Sequence, residues 1–181
     1  MNGVLDKALD QLDQDLTKQN LSIEIVICGA YALYMLGYSR SEHTLDVDSL
    51  TPLRSQEAQQ LIENIGQKFG LSPHWLNDQA STVSLPVGVL SRAKPVKRWK
   101  SIKASVVCRA DLIKMKASAF SIRRDQTNKD WEDLIVLSPT PEEIDAAINF
   151  IKESNSPPPN ASKKNLAEFE ETLRDIKKIA K

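Results

Sequence analysis

The feature that most constrains this chain is the run Ile23–Cys28, which reads IEIVIC. Six residues, nearly all apolar and mostly β-branched, suit a strand in the middle of a sheet, buried among neighbours. Gly29 breaks the strand, and Ala30–Leu36 has the make-up of a short apolar helix stopped by Gly37. The polar stretch 38–44 (YSRSEHT) reads as a loop. Leu45–Leu50 (LDVDSL) then alternates apolar with polar, as a second strand does, until Pro52 stops it. A strand, a glycine bend, a helix and a second strand in this order predict an α/β (α+β) fold.

The rest of the chain supplies helices around such a sheet. Val4, Leu5, Leu9, Leu12 and Leu16 recur at helical spacing over residues 4–18. Ser55–Phe69 places Ala58, Leu61, Ile62, Ile65 and Phe69 on one side, with Ser55 as the cap. Further strands are expected over 83–90 and 102–108, on either side of a basic stretch at 91–101. Helices are expected over Ala110–Ile122 and Lys129–Leu137, and from Pro141 to about Lys152. The three prolines of SNSPPPNAS mark 154–162 as an extended linker. A last charged helix, 163–180, carries Leu166, Phe169, Leu173 and Ile176 as a stripe suited to packing or a partner. The expected organisation is one domain over 1–153, the linker at 154–162 and a C-terminal helix within 163–181.

Composition narrows the classes of function. Hydrophobic residues make up 41% of the 181, enough for a packed core and too many for a disordered chain. Lysine and arginine number 24, as do aspartate and glutamate, which excludes a globally basic coat protein for nucleic acid. Locally the balance breaks. Residues 79–124 hold eleven basic side chains against Asp111 alone, a net +10 that the remainder must offset with −10. That segment either receives a polyanion such as a nucleotide or RNA, or is a solvated face paired with the acidic helices at the two ends. Trp99 within Lys97, Arg98 and Lys100 is either a base-stacking ring or a partly buried hairpin tryptophan. Cys28 and Cys108, the two cysteines, form neither a disulfide framework nor a zinc motif and suit a reducing cytoplasm. No apolar run approaches the roughly 20 residues of a membrane helix. Asp6, Asp10, Asp13 and Asp15 near the start do not suit a signal peptide.

Asp46 and Asp48 are the sharpest chemical feature. Positions i and i+2 of a strand point to one face, so both carboxylates converge while Val47 turns into the core. Two like charges held together call for a cation, and Mg²⁺ prefers carboxylate oxygens while leaving places for phosphate and water. The pair is then a metal clamp for phosphoryl or nucleotidyl transfer, the alternative being a solvent-facing strand edge. Gly29 upstream lets the backbone approach a phosphate, or else is only a tight turn. Lys116, on an apolar helix, either reaches triphosphate oxygens or snorkels to solvent. Asp130 and Asp133 share a helical face and, on spacing alone, can pair with Arg123 or Arg124. His43 is either a loop histidine or a contact to base or phosphate. Trp75 reads as core.

The segment ICGAYALYMLGYSRSEHTLDVDSL resembles the first motif of the polymerase-beta-type nucleotidyltransferase superfamily, and more closely its abortive-infection, type IV toxin-like branch. RADLIKMKASAFSIRRDQTNKDWEDLIVL resembles a second segment of that branch, in the same order along the chain, and HWLNDQA is also similar. The resemblance covers residues 23–137. It implies a mixed β-sheet flanked by helices and Mg²⁺-dependent transfer of a nucleotide from an NTP. The acceptor would be tRNA, another RNA or a protein, in a toxin–antitoxin or phage-defence setting with a cognate antitoxin or toxin partner. Carried over residue by residue, it implies catalytic roles for Asp46, Asp48, Lys116 and Asp130, the first two also holding metal. It further implies nucleotide binding by Gly29, Ala30, Arg40, Thr44 and Lys103. Two departures stand out. Cys28-Gly29-Ala30 replaces the usual Gly-Gly or Gly-Ser bend. The expected third strand, IKASVVC, carries Ser105 where the family places a third carboxylate, which leaves a non-catalytic, ligand-binding member as the alternative.

Overall fold

A computed structural model describes residues 3–39, 44–82, 84–123, 129–158 and 160–180. The chain divides into two compact units, one of residues 1–83 with 88–108, the other of residues 84–87 with 109–181.

The first unit holds the sheet. α1 (Gly3–Lys18) precedes β1 (Ile23–Cys28), α2 (Gly29–Met35) and β2 (Val47–Ser49). α3 (Gln56–Phe69) and β3 (Leu76–Asn77) follow, then a single 3-10 turn, α4 (Val89–Arg92), β4 (Lys94–Val96) and β5 (Ile102–Val106). The five strands form one mixed sheet in the order β3-β2-β1-β5-β4. β1 runs antiparallel to β2 and parallel to β5, which places it in the centre as its composition predicts. This is the mixed sheet flanked by helices expected of an α/β chain.

One side of the sheet is core. Ile23, Ile25, Ile27, Val47, Ser49, Ile102, Ala104 and Val106 are all buried, and α1 packs on α3 with Leu5, Leu9, Leu12, Leu16, Ala58, Ile62 and Ile65 inward. Trp75 is fully buried and donates its indole N–H to the Ile62 carbonyl at 2.8 Å, so it is core. Ser55 caps α3 by accepting the Ala58 N–H, as its sequence position predicts. The other side alternates with the first, as a pleat requires. It presents Glu24, Asp48, Asn77, Lys103 and Ser105, none of them buried, around Val26 and Cys28 of β1, which are buried.

Three expectations need correction. The stretch 83–90 is not a strand among its described residues: 87–88 turn and α4 begins at Val89. Its apolar residues are interrupted by Pro86 and Gly88. The second strand is shorter than Leu45–Leu50, because β1 and β3 pair only with Val47–Ser49. Two strands, β3 and β4, were not anticipated. One has two residues and the other reads Lys-Pro-Val; a proline is tolerated there because β4 lies at the sheet edge.

The second unit is helical: α5 (Arg109–Arg123), α6 (Lys129–Leu137), α7 (Pro141–Asn155) and α8 (Lys163–Lys177). α5 packs on α6 and α7 through Leu112, Ile113, Ala117, Leu134, Ile144, Ala147, Ile148 and Ile151. Thr140 and Glu143 close a capping box at the start of α7, behind Pro141. Ile176 of α8 is fully buried, whereas Leu166 is 40% exposed, so only the C-terminal half of the apolar stripe is covered. α7 runs through Asn155, and the extended segment therefore starts at Ser156.

Candidate nucleotide site and the buried charge cluster

The glycine bend and the second aspartate meet. Cys28, the last residue of β1, lies opposite Asp48 of β2, so Gly29 emerges beside that side chain. Gly29 has φ +67°, a left-handed conformation that favours glycine. Space demands glycine as well: a Cβ there would lie 2.2 Å from Asp48 Oδ2 and 3.2 Å from its Cγ. The Asp48 carboxylate thus rests against bare backbone. Its other oxygen, Oδ1, accepts a hydrogen bond from Asn77 Nδ2 at 3.1 Å. Asn77 Oδ1 in turn accepts the Gln79 N–H at 3.1 Å, which fixes the amide with its NH₂ toward Asp48. Asn77 was not assigned a role from sequence. The signal was HWLNDQA, but only the β2–β3 register shows which carboxylate it serves.

Asp46 stands one residue ahead of β2. Burial still alternates through the three positions: Asp46 is exposed, Val47 fully buried and Asp48 half-buried. Both carboxylates therefore lie on the solvent side of Val47. Thr44 donates its hydroxyl to Asp46 Oδ1 and, at 3.4 Å, to the Asp46 carbonyl. Ala30 sits half-buried in the first turn of α2. Arg40 and His43 lie outside the described residues.

A hard cation fits this donor set. The half-buried Asp48 carboxylate at the Gly29 bend and the exposed Asp46 carboxylate two residues before it both supply oxygen ligands. Among the described residues no group of three or more His, Cys, Asp or Glu forms a closed metal cage. Mg²⁺ does not require one, since it is commonly held by one or two carboxylates plus substrate phosphates and water.

Lys103 and Ser105 lie further along the same side of the sheet. Ser105 pairs in register with Val26, and Lys103 with Glu24, whereas Asp48 faces Cys28. Strand geometry then puts Lys103 about 13 Å along and about 9.6 Å across the sheet from Asp48, and Ser105 roughly half as far along. No acid stands on β5.

The basic segment is partly spent inside the protein. Asp6 and Asp10, one turn apart on α1, both pair with Arg98, at 2.8 and 2.7 Å. Asp10 also accepts the Trp99 indole N–H at 2.8 Å, and Asp13 accepts the Ser101 and Ile102 N–H groups at 2.6 and 3.0 Å. Tyr31 and Tyr34 of α2 donate to Asp6 at 2.8 and 2.9 Å. Burial first, and then the bond to Asp6, push the Tyr31 hydroxyl far above the ordinary tyrosine range. So the acidic stripe of α1 grips residues 98–102, while Lys94, Lys97, Lys100 and Lys103 remain exposed.

The second unit holds a different arrangement. Lys116 of α5 pairs with Asp130 and Asp133 of α6 at 2.9 and 2.7 Å, and Arg123 reaches Asp130 at 3.2 Å. Lys116 keeps 12% of its side-chain surface, Asp130 5% and Asp133 none, so Lys116 is not a snorkelling surface lysine. Burial works against its charge, but the two carboxylates outweigh it and hold the ammonium above its usual range. Lys116 and Asp130 are brought together here; in the first unit Gly29 meets Asp48, and Thr44 meets Asp46.

A mixed sheet with a glycine bend against an aspartate, the second of a D-x-D pair that opens the next strand, is the arrangement of the nucleotidyltransferase-like class. Residues 5–140 match the family model described as "Nucleotidyltransferase of unknown function (DUF6036)", and the chain belongs to that family. Membership implies a nucleotide as substrate. Neither a curated protein nor a solved structure matches the chain significantly. No helix among the described residues is long and apolar enough to cross a membrane.

Proposed function

We propose that the protein transfers a nucleotidyl group from an NTP to an acceptor hydroxyl, with Mg²⁺ held by Asp46 and Asp48. The observation that carries this reading is the Gly29 backbone lying against the Asp48 carboxylate, where a methyl group would collide with Oδ2. Glycine there lets the Asp48 carboxylate lie against the chain, where a cation on it would draw in a phosphate. α2 has only seven residues, so the cradle rests on the Gly29 backbone more than on a helix dipole. In the reaction the acceptor oxygen bonds to the α-phosphorus, the bond to pyrophosphate breaks, and the acceptor hydroxyl gives up its proton to solvent water. Bound magnesium would offset charge on the phosphate oxygens. Thr44 and Asn77 orient the two carboxylates. Lys116 and Asp130 are held in the helical unit's charge cluster.

Ser105 favours a second reading, a non-catalytic member that binds a nucleotide without transferring it. The abortive-infection branch, with tRNA or a cognate partner protein, is the more specific form of the first. Incubation with each α-labelled NTP, Mg²⁺ and total RNA separates these. Label on RNA or protein, lost in Asp48→Asn and with a chelator, is the expected result. Metal-dependent NTP binding with no transfer establishes the second reading. No metal-dependent NTP binding overturns both. Growth arrest on expression, relieved by Asp48→Asn, is expected of the toxin-like branch.

A further inference from the structure

We infer that a groove beside β4 and β5 binds a single-stranded RNA segment, with phosphates on Lys97 and Lys103 and a base on Trp99. The inference rests on the transfer reading only for what the strand does there, namely to serve as acceptor.

The groove encloses about 420 Å³ and is lined by Glu24, Val96, Lys97, Trp99, Lys103 and Ser105, among others. It belongs wholly to the first unit and follows the sheet side that carries Asp48. Its charge is the part of the basic segment that α1 does not neutralise. Arg98 is committed to Asp6 and Asp10, and among the described residues no ion pair involves Lys97 or Lys103. Trp99 is rigidly presented. Asp10 holds its N–H, and the Arg98 guanidinium lies 5.2 Å from the ring centroid. A fixed indole loses little entropy on stacking, and ammonium groups beside an aromatic ring are the pattern for unpaired strands. Glu24 decides between sugars. A carboxylate within a cationic groove repels phosphate but accepts a hydroxyl, and ribose alone offers the 2′-OH.

The test is anisotropy of a labelled 12-nucleotide RNA across a salt series, with the full chain. Trp99→Ala should weaken binding about tenfold, one stacking contact, while Trp99→Phe should keep most of it. Since the Trp99 indole also holds Asp10, Lys97→Gln with Lys103→Gln provides the second variant, on exposed side chains. It should lower the salt slope by about 1.4, two phosphate contacts at about 0.7 each. The matching DNA should bind several-fold more weakly, and Glu24→Gln should narrow that gap. Absence of RNA binding at low salt overturns the inference. So do variants that bind like the wild type, DNA that binds as well as RNA, or a polyglutamate peptide that competes as well as RNA. Mg²⁺-NTP binding is measured in parallel. If the lysine variant loses NTP and keeps RNA, those lysines serve the nucleotide and the inference fails. RNA binding without NTP binding supports the groove and removes the transfer reading.

Discussion

Asp46 and Asp48 in the sheet unit and Asp130 and Asp133 in the helical unit are both close-set pairs of aspartates, and the protein treats them oppositely. The helical pair is sealed: Lys116 lies between the two carboxylates at 2.9 and 2.7 Å, and Asp133 has no exposed side-chain surface. The sheet pair faces outward, with Asp46 meeting a hydroxyl and Asp48 an amide. A charge neutralised by the protein's own cation holds structure, because breaking it strands a charge in low dielectric. Neutral donors such as this hydroxyl and this amide orient a carboxylate without cancelling its charge. The difference lies in which neighbour each pair meets, not in the residue type.

The contrast can be broken first at Asp48. Asp48→Asn should lower transfer at least a thousandfold, several kcal/mol of lost transition-state stabilisation, while the thermal unfolding midpoint stays close to that of the wild type. Gly29→Ala should act similarly, since it forces a Cβ onto Oδ2 in a strained backbone. An active Asp48→Asn protein would sink the site. Lys116→Met should do the reverse and destabilise the helical unit by about 3–5 kcal/mol, read as a lower urea midpoint. If its stability is unchanged and NTP affinity collapses instead, the cluster is a binding site and the contrast is false.

Asn77→Ala sharpens the comparison from the other side. It removes one neutral donor from Asp48, so kcat should fall about tenfold with little change in stability, and Asn77→Asp should be worse because it sets two like charges together. The smallest effect is alkaline. Lys116 is raised by its partners, Tyr31 by burial and then Asp6, and Tyr34 by its bond to Asp6 first. Groups raised on folding contribute fully below their unfolded values and lose that contribution as pH climbs through the folded ones. Stability should be flat up to about pH 10 and fall above it, with Lys116→Met flattening the lysine part of that decline. A rise in stability above pH 10 would refute these assignments.

Much of this was legible in the chain itself. β1 and α6 fall at the residues their patterns mark, and α1, α3, α5 and α7 begin and end within a few residues of expectation. The long elements carry enough apolar positions to declare their period. Leu76–Asn77 and Lys94–Val96 are too short or too polar to do so, and become strands only because β2 and β5 offer them edges. The bend at Gly29 and the aspartates at 46 and 48 were visible as types and spacings. That Gly29 touches Asp48, that Asn77 steadies it and that Asp46 precedes the strand were not.

Local order in this protein follows from sequence because β-branching, helical periodicity, caps and prolines act over a few residues. The fate of each charge does not, because it depends on what a distant segment brings within about 3 Å. Asp10 holds Arg98 across the fold and Asp133 holds Lys116 between helices, while Asp46 stays at the surface; packing alone assigned those neighbours.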